Sequence, residues 1–161
     1  MNEPDSESSK TPNDSHGFHA DYFETCFELE GKMEDLPSSY SIITAYATTG
    51  EKWTDEENRE ADVRLATELD KVGASKWRIT GYSPSSGHAE PGWAIELPHE
   101  KANALGKNYR QHAIYFVEKG ALNVMLCEDS ILAKVGVMTE RLHDSDTPRI
   151  HERPPEWQQG K

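Results

Sequence analysis

Apolar positions recur at helical spacing from Phe18 to Leu29, through Phe18, Tyr22, Phe23, Cys26, Phe27 and Leu29, and Gly31 closes the run. This spacing predicts an N-terminal helix. The pattern then changes, because Ser41-Ile42-Ile43-Thr44-Ala45-Tyr46-Ala47-Thr48 is β-branched and aromatic and predicts a strand. Thr49-Gly50-Glu51-Lys52 breaks it. Thr54 and Glu57 have the T-x-x-E form of a capping box, in which each side chain satisfies the other residue's orphan backbone N–H. The helix that follows places Ala61, Leu65, Leu69 and Val72 on one face and ends near Gly73.

Lys76 to Tyr82 predicts a second strand, Ser83 to Gly87 a turn, and Trp93 to Leu97 a third strand ended by Pro98. His99 to Asn108 predicts a short helix with Ala102 and Leu105 inward. Ala113–Val117 and Ala121–Leu126 are strands joined by Glu118-Lys119-Gly120, a short hairpin loop. Ile131 to Val137 is compatible with an edge strand or a last helical turn. The order β-α-β-β-α-β-β implies an α+β fold: a mainly antiparallel sheet with two helices on one face, a ferredoxin-like start, plus the N-terminal helix. Residues 1–16 read as a disordered acidic tail, 17–137 as a single α+β domain, and 138–161 as a mostly extended, Pro-containing tail that Ile150 and Trp157 could anchor.

Strand directions then predict where polar residues gather. If the first strand runs up, the first long helix descends, the second strand ascends, the third descends and the second helix ascends. The connections 47–54, 83–91 and 108–112 therefore share one end of the sheet. Asn58 stands three residues before Ala61 and seven before Leu65, so helical spacing puts its amide on the inward stripe. Leaving that amide buried without a partner would cost about 1–3 kcal/mol, so Glu90, Gln111 or the first loop should bond it. Such a bond would tie loop to helix or form part of a site. The sharper expectation is that connectivity brings Asn58, Glu90 and Gln111 to a common rim.

His88-Ala89-Glu90 matches the first half of the zinc deaminase signature, but the Pro-Cys-x-x-Cys half is missing. His88, Glu90 and His112 are metal-ligand types at untested spacing, and chance grouping among seven histidines is the simpler account. Glu90 would suit acid–base work, assisted by His88, if Trp93 and Tyr82 walled it and raised its pKa. The plain alternative is an ion pair with Arg78, Arg110 or Lys107. Asn58, Gln111, His112, Thr44 and Ser83 are the candidate ligand-binding residues. Lys52 and Arg59 near the first helix N-terminus could attract an anion, although Asp55 and Glu56 oppose it. Nothing has the form of a P-loop, a dinucleotide fingerprint or a nucleophile elbow, and no cofactor is expected.

Charge narrows the partners. With 29 acidic against 17 basic residues and a formal net charge of −12, the chain should repel nucleic acid and anionic membrane surfaces. The expected partner is a protein or a small polar ligand. Cys26 and Cys127 read as buried small hydrophobes rather than a metal knuckle or a disulfide framework. No leader-like opening and no apolar run of about 18 residues is present, which predicts a cytoplasmic protein.

Ile43-Thr44-Ala45-Tyr46, Glu57-Asn58 with Leu65 and Leu69, Gly81-Tyr82-Ser83-Pro84, His88-Ala89-Glu90, and Gln111 with Ala113 together resemble an uncharacterised bacterial family, domain of unknown function 3293. The likeness runs from Ile42 to about Leu126. It departs from the family pattern at Tyr46-Ala47-Thr48, where Trp-Asn-Pro is usual, and at His112, where Asn is usual. The resemblance implies that Asn58, Glu90 and Gln111 belong to the family's polar set, and it implies no activity. Two functional expectations follow: a non-enzymatic regulatory or interaction protein, or a small-molecule-binding or acid–base enzyme using Asn58, Glu90 and Gln111.

Overall fold

The structure, a computed structural model, describes residues 20–46 and 53–144. A 3-10 turn at Ala20–Phe23 leads into β1 (Cys26–Leu29), and another at Met33–Asp35 leads into β2 (Ser39–Ile43). Then come α1 (Asp55–Lys71), β3 (Lys76–Tyr82), β4 (Ala89–Ile95), α2 (His99–Asn108), β5 (Ala113–Glu118), β6 (Ala121–Leu126) and β7 (Leu132–Val137). A turn at Met138–Glu140 precedes β8 (Leu142–His143).

All eight described strands form one sheet in the order β7-β6-β5-β2-β4-β3-β1-β8. Neighbours are antiparallel except β1 and β8, which run parallel, so the sheet is mixed. This corrects the expectation of a ferredoxin-like, antiparallel sheet with an N-terminal helix. The described chain is an eight-stranded curled sheet, a half-barrel, with two α-helices. Phe18 lies outside the described residues. Tyr22 and Phe23 sit in a single 3-10 turn, and Cys26, Phe27 and Leu29 belong to a strand. A short run of apolar residues fits periods of both 3.6 and 2, and here the open edge of β3 decided between them. Cys26 pairs with Tyr82 and Leu29 with Ile79.

Strand alternation gives the sheet two apolar faces. On one, Ile43, Ile95, Ile114, Phe116 and Met125 pack under Ala61, Leu65 and Leu69 of α1 and Ala102 of α2. The capping box that starts α1 is formed: the Glu57 N–H donates to Thr54 Oγ1 at 3.0 Å, and the Thr54 N–H to Glu57 Oε1 at 2.8 Å. On the other face, side chains from all eight strands meet in one cluster that includes Phe27, Ile42, Ile79, Ala94, Val117, Leu122, Val135 and Leu142. Neither described α-helix contributes to that cluster; the sheet curls over it instead.

Arg141 holds the curl. Its guanidinium donates to the Val135 carbonyl of β7 at 2.8 Å, and to the Phe23 and Thr25 carbonyls ahead of β1 at 2.7 and 3.0 Å. One side chain thus ties border strand β7 to the segment ahead of β1. Gly136 permits this approach, since a Cβ there would stand 2.9 Å from Arg141 Nη2. Residues 138–144, which the sequence assigns to the tail, carry this link and β8; residues 145–161 lie outside the described residues, as do 1–19 and 47–52. No described helix is long and apolar enough to cross a membrane.

Candidate functional site

The strand directions carry the end of β2, the β3–β4 turn and the start of β5 to one end of the sheet. There the concave face opens into a cavity of about 110 Å³. Thr44, Ser83, His88, Glu90, Gln111 and His112 all line it, over a base that includes Phe27, Tyr22 and Tyr115. Asn58 does not line the cavity. It is half-buried in the first turn of α1, where its N–H bonds the Thr54 carbonyl at 3.0 Å. The expected common rim therefore holds Glu90 and Gln111 without Asn58.

Glu90 owes its position to alternation along β4. It stands opposite Gly81 in register and faces the concave side with Gly92 and Ala94. Trp93 and Ile95 point the other way, toward the helices. The expected Trp93 wall on Glu90 is thus absent. Arg78, paired with Trp93 in register, also faces the helices. It grips Asp62 in a two-pronged ion pair at 2.7 and 3.2 Å, with its guanidinium carbon 3.9 Å from the centre of the Trp93 ring. Glu90 instead meets His88, Nε2 to Oε2, at 2.7 Å. The carboxylate side chain is 23% exposed and the imidazole 60%, so the pair marks the border between cavity and water.

The other polar residues are more firmly engaged in holding the site's walls. The Thr44 hydroxyl donates to the Pro91 carbonyl at 2.7 Å and accepts from the Tyr46 N–H at 3.1 Å. This bond fastens the end of β2 against β4 where Gly92 comes closest, for a Cβ on Gly92 would stand 2.5 Å from the Ile43 carbonyl oxygen. Ser83 is buried and accepts the Ser86 N–H at 3.3 Å, an ordinary role for a serine in a turn. Gln111 donates from Nε2 to the carbonyls of Tyr46 at 2.7 Å and Tyr109 at 3.2 Å. It is aimed there by Arg110, which adopts left-handed backbone (φ 61°) just after α2. A non-glycine residue costs about 1–2 kcal/mol in that conformation, and such positions recur at functional sites. His112 is exposed and stacks on Tyr22, with ring centroids 6.1 Å apart and planes 18° apart.

The cavity base is what sequence reading missed. Tyr22, Thr25 and Phe27 come from the segment expected to be a helix. Phe27 is buried and meets Tyr115 edge to face at 5.2 Å and 85°; Tyr22 meets the same ring at 6.1 Å and 89°. The Tyr115 hydroxyl donates to Thr25 Oγ1 at 3.0 Å. The β-branched and aromatic steps of Thr25-Cys26-Phe27 are the strand signal that this segment carries.

Among the described residues, no three His, Cys, Asp or Glu side chains are grouped to hold a metal ion, so His88, Glu90 and His112 do not form a ligand set. Both cysteines are buried thiols outside the cavity lining. Burial pushes Cys26 upward and Cys127 up to about 11, which keeps both protonated and poor nucleophiles.

No curated protein and no solved structure matches the chain. A family match spans residues 43–114, and it contains all seven polar residues nominated from the sequence but not Tyr22, Thr25, Phe27 or Tyr115 of the cavity base. Over that span the chain matches the family described as "Protein of unknown function (DUF3293)".

Proposed function

We propose that this protein is a non-enzymatic, cytoplasmic binding domain that takes a small ligand into the concave end of its half-barrel. The observation that carries this reading is the cavity itself: an apolar, aromatic base beneath a polar mouth at which Glu90 and His88 meet water. Binding sites commonly combine apolar lining with a few placed polar groups. At about 110 Å³ the cavity is smaller than the roughly 300–1,000 Å³ of drug-sized sites, which favours a compact ligand or one end of a longer one. A regulatory role fits a domain of this kind, with ligand occupancy as the signal.

A catalytic reading has narrower support. The His88–Glu90 bond is an acid–base pair in form, but both cysteines lie elsewhere, and Ser83 is engaged in its turn. Acid–base work requires a group held firmly near the reacting atoms, and the imidazole of His88 stands largely in water.

The test is a fragment screen on the full isotopically labelled chain, read by amide NMR shifts. Binding at the proposed place moves Gly81, Gly92 and Ala113 together. A panel that shifts none of them, or shifts only the helix-covered face, overturns the reading.

A further inference from the structure

We infer that the ligand end received by this cavity is a compact organic cation, an alkylated ammonium group. The inference rests on the binding role proposed above and names the chemistry of the ligand.

Three features of the lining point the same way. The first is the aromatic corner. Phe27 and Tyr22 each stand nearly perpendicular to Tyr115, at 85° and 89°. In an edge-to-face pair, the corner between two rings is walled by a face of each. Aromatic faces carry negative quadrupole charge, so such a corner attracts a cation more strongly than a neutral group of the same shape.

The second feature is charge. Glu90 is the acidic residue of the lining, and no lysine or arginine is among the described lining residues. The nearby cations are engaged elsewhere: on the other face Arg78 holds Asp62 and Lys76 holds Asp70, and behind Thr25 the Arg141 guanidinium is taken up by the Phe23, Thr25 and Val135 carbonyls. Among the described lining residues, an anionic ligand would meet a carboxylate and π faces with no lysine or arginine to offset them. A cation would meet both favourably, and the chain's net charge of −12 adds attraction at long range.

Size is the third. A cavity of about 110 Å³ suits a head group of a few heavy atoms rather than a nucleotide or a sugar chain. The hydroxyls of Thr44 and Tyr115 are already bonded to Pro91 and Thr25. A ligand needing many hydrogen bonds gains little here, whereas a methylated ammonium needs few. His88, 60% exposed, is the group such a cation would displace from Glu90.

The experiment compares choline with its neutral carbon isostere, 3,3-dimethylbutan-1-ol, by titration calorimetry and NMR on the full chain. Choline is expected to bind about tenfold tighter, and added salt should weaken choline while sparing the alcohol. Glu90→Gln should remove most of that preference and leave the alcohol's affinity nearly unchanged. Tyr22→Leu, at the half-buried edge of the corner, provides a second variant with little risk to folding, and it too should weaken choline selectively. Equal or tighter binding of the alcohol overturns the cation inference and leaves the binding role standing. Fragments that bind at Gly81 and Gly92 while choline does not also overturn it. Failure of choline, the alcohol and every fragment alike removes the binding role together with this inference.

Discussion

On the helix-covered face of the sheet, Leu65, Leu69, Ile95 and Ala102 are all excluded from solvent beneath the helices. The concave face is just as apolar at Ile79, Leu122 and Val124, yet it leaves a cavity between Phe27, Tyr115 and Glu90. The difference lies in what covers each face. A helix joined by loops can shift until its side chains interlock with the sheet. A sheet curled over its own face has its spacing fixed by strand register, so gaps stay where register puts them. The two carboxylates of this region follow the same division. Asp62, on the helix side, is gripped at both oxygens by Arg78, which also bonds the Gly92 carbonyl and stacks on Trp93. Glu90, on the concave side, meets an imidazole that is itself mostly in water. The first arrangement is complete within the fold; the second leaves a carboxylate oriented toward an opening.

The largest effect should come from opening the helix-covered face. Leu65→Ala leaves a void under α1 at a site with no exposure, and it should lower unfolding free energy by about 2–5 kcal/mol. Urea unfolding followed by circular dichroism measures it. A loss well below that range would mean that the helix face is no better packed than the concave one. Next in size is Arg141→Leu, which strips a charged donor from the Val135 carbonyl of border strand β7 and from the Phe23 and Thr25 carbonyls ahead of β1. Bonds to charged groups contribute about 1.5–3 kcal/mol each, but water reaches part of this site, so a total loss of about 2–3 kcal/mol is expected. Hydrogen exchange should rise first at β7 and β1. Uniform acceleration across all strands would show that Arg141 does not act as a border link.

Much of this is legible in the chain. The capping box at Thr54 and Glu57, the inward stripe of Ala61, Leu65 and Leu69, and the directions of β2 to β5 all follow from local patterns, because each is set within a few residues. Those directions are enough to gather Thr44, Ser83, His88, Glu90, Gln111 and His112. The curl is not legible. It depends on pairing β1 with β3 across the intervening β2 and α1, and on Arg141 reaching the far border, and neither contact leaves a local periodicity. Reading residues 18–29 as a helix therefore hides Phe27 and Tyr22 and, with them, the cavity base. Asn58 departs from expectation for a smaller reason. Helical spacing fixes a residue's side of the helix but not its distance from a loop end, and Asn58, half-buried in the first turn of α1, is not among the residues lining the cavity; most of the first loop expected to bond it, 47–52, lies outside the described residues.

The smallest effect on stability should be the most informative. Glu90→Gln keeps the shape of the side chain while removing the charge. Since Glu90 is partly exposed and its imidazole partner is mostly in water, the ion pair contributes little, and the change should stay within about 0.5 kcal/mol of the parent. The matching change Asp62→Asn, on the helix side, provides the contrast and should be the more costly of the two, because it breaks a two-pronged pair whose guanidinium lies against an aromatic ring. Thermal melts of both variants at neutral pH decide the matter. If Glu90→Gln proves as costly as Asp62→Asn, the concave carboxylate is a structural tie like its counterpart. If it is nearly neutral, or stabilising, the residue is being kept at the mouth for something other than the fold, as expected of a group held ready for a ligand.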